Sequence, residues 1–203
     1  MKIIFTTLSI LFVFLSAHSQ ENKILKIVFS DASNFDITTM LENKRPQKFY
    51  LLSTTDKWNG RRFHIADNLN ADSVLRSLDH AEHSIYKGYI FRDSALNRIF
   101  SDQDKKDLYR VSQALRPKQI TTGSNAFQLI PSFQKAKKGF LFSVAEPFFS
   151  HDKQYAFIDI TTYKKDDDTK ELNDAYFGLT MLVYQNSGDK GWVRIKKFNY
   201  LVL

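Results

Sequence analysis

His80-x-x-His83 is a pair of histidines one helical turn apart, and two imidazoles at that spacing bind a divalent metal when a third ligand joins them. The helix that would carry them has its apolar stripe at Val74, Leu78, Ala81 and Ile85. At about 100° per residue both histidines fall on the opposite side, and Glu82 falls away from His80. The pair reads as a solvated helix face. Asp166-Asp167-Asp168, with Glu171 and Asp174, is the densest acidic cluster, and clustered carboxylates are ligands for hard cations such as calcium. The Asp-x-Asp-x-Asp-Gly order of a calcium loop is missing, however, and Lys164, Lys165 and Lys170 offset the charge. A solvated connection between two strands is the expectation, so no metal is assigned. Ser150-His151-Asp152 has the residue types of a hydrolytic triad without its geometry, because triad members meet in space and adjacent residues cannot. His64 falls in a strand and reads as a surface or half-buried side chain.

Two carboxylates remain. Asp159 stands between aromatic residues on one face of a strand, and Glu146 ends the strand before it. Glycoside hydrolysis needs two acids roughly 5 to 9.5 Å apart, so Asp159 with Glu146 carries an alternative reading as a secreted hydrolase. No Gly-x-Ser-x-Gly elbow, P-loop, His-Glu-x-x-His or Rossmann fingerprint occurs, and each of those is the local backbone its chemistry requires. No catalytic residue and no cofactor are assigned.

The cations are unevenly spread. No acid lies between Asp107 and Glu146, an interval that holds Lys135, Lys137 and Lys138, and none follows Asp189, where Arg194, Lys196 and Lys197 form a second basic group. With a formal net charge of +7, these six are candidates for binding an anionic partner, an envelope component or another protein. Solubility and protection of edge strands by Lys are the favoured reading of them. An exported chain is not expected to meet nucleic acid.

Residues 1–19 read as a signal peptide. Lys2 supplies the positive start, Ile3 to Leu15 is almost wholly apolar, and Ala17-His18-Ser19 offers small residues at the cleavage site. The apolar run is about 13 residues, short of the roughly 20 that span a bilayer, and no other stretch is longer. Cleavage is expected after Ser19, with a periplasmic or secreted product. The absence of cysteine removes disulfides, thiol catalysis, zinc ribbons and lipid anchoring through an N-terminal Cys.

The elements that must position these residues fall into one α+β domain over 20–203. The 20–116 part is mainly helical and the 125–203 part is sheet. Leu25, Val28, Phe29, Ala32 and Phe35 fall at helical spacing. Phe49 to Thr54 and Arg61 to Ile65 flank Asn59-Gly60, a hairpin signal. Asp72 or Ser73, Ser94 and Ser101 are candidate caps for three helices, the last with Asp104 in its first turn and its stripe at Leu108, Val111 and Leu115. Then come successive strands, ending in Tyr155–Tyr163, Tyr176–Tyr184 and Trp192–Leu203, expected as an antiparallel meander of about four to five strands. Alternation puts Ala156, Ile158 and Ile160 on one face of their strand and Phe177, Leu179, Met181 and Val183 on one face of the next. These are read as a shared core face, with Ile158 and Met181 together. The opposite face, with Asp159, Tyr163, Thr180 and Tyr184, is the candidate ligand face. A bulge near Lys196-Lys197 would keep Val193, Ile195, Phe198 and Tyr200 on one side.

Phe142-Ser143 through Pro147 to Phe149-Ser150, then Asp152 to Tyr155-Ala156, then Gly191-Trp192 form a pattern. It resembles that of small secreted proteins of unknown function from Bacteroidetes, with an FS-x-x-x-P-x-FS strand end, a D-x-x-YA strand start and a final G-W strand. The resemblance covers about residues 95 to 203 and implies a secreted α+β domain. It transfers no activity or site residue. The expected function is a non-enzymatic cell-envelope binding or interaction module. The hydrolase and an exported immunity-type inhibitor are the alternatives.

Overall fold

The structure, a computed structural model, describes residues 20–35, 49–58, 62–63, 89–121 and 127–201. Helix α1 covers residues 20–30 and a 3-10 turn follows at Ala32–Phe35. Ile24, Leu25, Val28 and Phe29 make one buried stripe, and Phe35 is fully buried behind it. That is the spacing of an amphipathic helix laid on a sheet.

Seven strands form one sheet. They are β1 (Phe49–Leu52), β2 (Gln128–Ile130), β3 (Gly139–Val144), β4 (Phe148–Phe149), β5 (Tyr155–Lys165), β6 (Tyr176–Asn186) and β7 (Trp192–Leu201). The order is β2-β1-β3-β5-β6-β7, with β4 on the end of β5. β1 runs parallel to both β2 and β3, and the remaining pairs are antiparallel. The sheet is therefore mixed, and the expected antiparallel meander describes only its β3-β5-β6-β7 side. Both edges of β1 are taken, by β2 and β3; of the expected hairpin partner at Arg61 to Ile65, only Arg62 and Phe63 fall within the described residues. Arg62 and Phe63 lie in a turn. A strand of the mainly helical part thus lies inside the sheet. Parallel neighbours need a long crossover, and the connection from β1 to β2 carries the remaining helices of the described residues.

Those helices are α2 (Ser94–Ile99) and α3 (Asp102–Ala114). Asp93, one residue before the expected Ser94, caps α2 by accepting from Ala95 and Leu96 amides. Ser101 and Asp104 form a reciprocal capping box at α3, which satisfies two otherwise orphaned donors. Leu108 is buried, whereas Val111 is 40% exposed. The helix expected over residues 73–86, with its caps and with His80 and His83, lies outside the described residues. So do His64, Asn59 and Gly60.

The sheet is buried on both faces. α1 and Phe35 cover one, against Phe142, Val144, Ile158, Ile160, Leu182 and Tyr184. Trp58, Phe63, the Ile90–Arg92 turn, α2 and α3 cover the other, against Phe157, Met181 and Val183. At the far end of this second face Tyr50, Leu141 and Tyr163 gather Ile130, Phe133 and Ala136.

Register corrects the face assignment. Ile158 pairs with Leu182 and Asp159 with Met181, so Ile158 and Met181 lie on opposite faces, each buried. A one-residue change of register exchanges the faces of a whole strand. In β7 the register shifts between Tyr184–Arg194 and Val183–Lys196, leaving Ile195 as the extra residue. Ile195 and Phe198 then pack on the α2–α3 side, the service expected of a bulge.

Candidate functional site

On the second face the two apolar clusters do not meet. Along β5 the inward residues run Phe157, Asp159, Thr161, Tyr163, so two polar side chains separate two aromatic ones. Along β3 Ser143 separates Ala145 from Leu141, and it stands opposite Thr161. Asp159 and Thr161 of this interval line a cleft of about 210 Å³ with Asp56, Lys57, Arg62, Ala145, Tyr176 and Leu179.

Each element brings one wall. The backbone of Asp56 donates to Val144 O at 2.8 Å and bridges to Ala145, which continues the parallel pairing past the end of β1. Trp58 Nε1 donates to Glu146 O at 2.7 Å and ties the segment down. Phe63 packs against Trp58, Phe148 and Phe157 with ring centroids 5.2 to 5.6 Å apart. Its anchorage sets the neighbouring Arg62 over Asp159. Arg62 Nε donates to Asp159 Oδ2 at 3.3 Å. Among the described residues, Asp159 Oδ1 is buried with no hydrogen-bond partner.

The electrostatics follow from burial. Desolvation pushes the Asp159 carboxyl up to about 6, with Arg62 pulling it down and Asp56 adding to the rise. Burial also raises Asp56, and the Ser143 hydroxyl offsets part of that rise. Tyr176 is raised by burial as well, and it feels both Arg62 and Asp159. A carboxylate is costly to bury unless it is paired, and here one of its two oxygens is.

The other candidates are dispersed. Tyr163 shares the face of Asp159 but belongs to the far apolar cluster, its ring 6.2 Å from Tyr176. Thr180 and Tyr184 point to the opposite face, so the four do not form one ligand surface. Thr180 donates to Asn199 Oδ1 at 3.3 Å, and Tyr184 is buried, its hydroxyl accepting from Asn34 Nδ2 at 3.0 Å. Glu146 is held by Lys118, which also reaches Glu21 of α1 at 3.7 Å. That helix covers the face opposite Asp159, so Lys118 ties Glu146 toward the other side of the sheet.

The six cations form two groups. Lys135, Lys137 and Lys138 precede β3 whereas Arg194, Lys196 and Lys197 lie on β7, with β5 and β6 between them. Three already meet carboxylates: Lys138 with Asp167 at 3.0 Å, Arg194 with Asp31 at 3.3 Å and Lys196 with Asp93 at 2.6 Å. The Ser150 hydroxyl donates to Asp152 at 2.5 Å and accepts from the Tyr155 amide, closing a turn in which His151 is exposed. Asp166 accepts from Thr169 Oγ1 and from the Asp168 amide. Among the described residues no cluster of His, Asp and Glu could hold a metal.

A wider groove of about 430 Å³ runs between α3 and the turn after β4. Its acids are committed: Asp104 to Ser101, Asp107 to Gln103 and Arg110, Asp152 to Ser150. Asp56 and Arg62 were not singled out from the sequence. The available signal was that a buried Asp159 demands a cation, and Arg62 lies beside the aromatic Phe63 that buries it. Compared with family models, with curated proteins and with solved structures, the chain finds no match.

Proposed function

We propose that the chain is an exported binding module of the cell envelope, without catalysis of its own, whose ligand contact is the cleft around Asp159. One observation carries the reading: a carboxylate oxygen, Asp159 Oδ1, is buried without a partner and belongs to a residue lining a cleft. Unsatisfied buried polar atoms are few in native proteins, and each calls for an explanation, which a bound ligand supplies where the atom lines a cleft. The pattern of residues 1–19 supports export. Cleavage after Ser19 would leave all four buried side chains of α1 in place. The cleft is smaller than the roughly 300 to 1,000 Å³ of drug-sized sites, so it suits a small head group rather than a large cofactor.

Amide spectra recorded with a library of small polar compounds test the reading. Binding should move the amides of Ala145, Thr161 and Leu179. Perturbations confined to the groove beside α3, with those three unmoved, would overturn it.

A further inference from the structure

We infer that the cleft takes a primary ammonium group, of the kind an amino sugar carries, seated between Asp159 Oδ1 and the Asp56 carboxylate. The inference rests on the binding reading above and names its ligand class.

The imbalance of donors and acceptors points to it. The cleft holds two carboxylates, Asp56 and Asp159. The Arg62 guanidinium meets Asp159 through Oδ2, and Oδ1 is left without a donor among the described residues. Lys57, exposed at the rim, makes no ion pair with either acid among the described residues. What Asp159 Oδ1 lacks is therefore a donor. An ammonium brings three donors and no acceptor, and its bonds to carboxylates are the short, charge-assisted kind. A hydroxyl brings one neutral donor, too few to serve both carboxylates, and an anion would meet them in a place of low dielectric, where like charges repel most strongly.

The walls agree with this. Tyr176, 38% exposed, stands at the lining of the cleft, and an aromatic face attracts a cation. Leu179 and Ala145 supply apolar surface for the carbon skeleton that carries the nitrogen. A cleft of about 210 Å³ admits one sugar-sized ring.

Glucosamine, glucose and glucuronate share a ring and differ in charge, so they make the test. Amide spectra of the protein are titrated with each at neutral pH. Glucosamine should shift Ala145, Thr161 and Leu179 and bind at least tenfold more tightly than glucose, with no shift from glucuronate. Asp159→Asn and Asp56→Asn, each shown folded by its thermal transition, should each weaken glucosamine at least tenfold. Equal shifts of these amides by glucose and glucosamine would overturn the ammonium assignment and leave the binding reading standing. No shift with glucosamine would also overturn the assignment. Shifts confined to amides outside the cleft would overturn both.

Discussion

Arg62 Nε stands 3.3 Å from Asp159 Oδ2, and both side chains are more than nine-tenths buried. The two are 97 residues apart in the chain. Removing one partner of a desolvated pair leaves a buried charge uncompensated, at a cost of roughly 3 to 5 kcal/mol. Arg62→Ala should cost about that in denaturant unfolding. The double variant Arg62→Leu, Asp159→Leu should recover most of it. A single-variant cost under about 1 kcal/mol, the range of exposed pairs, would show that water reaches the pair.

The same carboxylate makes stability depend on pH. Burial pushes Asp159 up to about 6, above an unfolded value near 3.9. Between those values the native state holds a proton that the unfolded state has released. This contribution is complete below about pH 4 and is lost as pH rises through about 6, with a size on the order of 3 kcal/mol. The ionisable groups lining the same cleft are Asp56, Arg62, Lys57 and Tyr176, of which Tyr176 is neutral in this range, and Asp56 is shifted in the same direction. Asp31, Asp93, Asp152 and Asp166 are held below the usual range, so their opposite dependence falls below about pH 4. Thermal melts across this range should show the decline in the parent and a flatter profile in Asp159→Asn. Superimposable profiles would mean that Asp159 titrates normally.

Tyr184 belongs to the core, not to a ligand surface. It is 2% exposed, and Asn34 donates to its hydroxyl. Tyr184→Ala should therefore cost about 3 to 5 kcal/mol, comparable with Ile158→Ala at about 2 to 5. Tyr184→Phe should cost about 1 kcal/mol through the lost hydrogen bond. Chemical denaturation separates the three.

The cations should act as two independent groups. Converting Lys135, Lys137 and Lys138 to Gln, or Arg194, Lys196 and Lys197 to Gln, should each weaken binding to anionic vesicles at low salt, with effects that multiply in the six-fold variant. Loss seen only in the six-fold variant would mean that they work as one patch. Arg194→Ala should in addition destabilise the fold by roughly 1 to 2 kcal/mol, since Arg194 ties β7 to Asp31, Ser33 and Asn34.

Export makes its own prediction. N-terminal sequencing of protein recovered from outside the cytoplasm should begin at Gln20. A chain that starts at Met1 in the cytoplasm would end the envelope reading.

What could be read from the chain is what neighbours in sequence decide. The Ser101–Asp104 box is an i, i+3 contact, so its two residue types suffice to place it. The apolar stripe of α1 and the alternation along β5 are periodicities of a single element. The slip in β7 was legible because two adjacent lysines break that alternation, and the bulge lies one residue earlier, at Ile195. Asp159 stood out as the one acid set among aromatic residues on a sheet face.

Tertiary structure alone decided the rest, because the deciding contacts join distant segments. Alternation sorts the residues of one strand into two sets, but only register says which set of the next strand joins them. That is why Asp159, not Ile158, lies beside Met181. The parallel seat of β1 between β2 and β3 depends on a crossover whose end points no local signal marks. The cleft itself is built by Asp56 at the end of β3, Arg62 anchored through Phe63, and Asp159 in the middle of β5. No periodicity links those three, and burial of the second face is what brings their charges together.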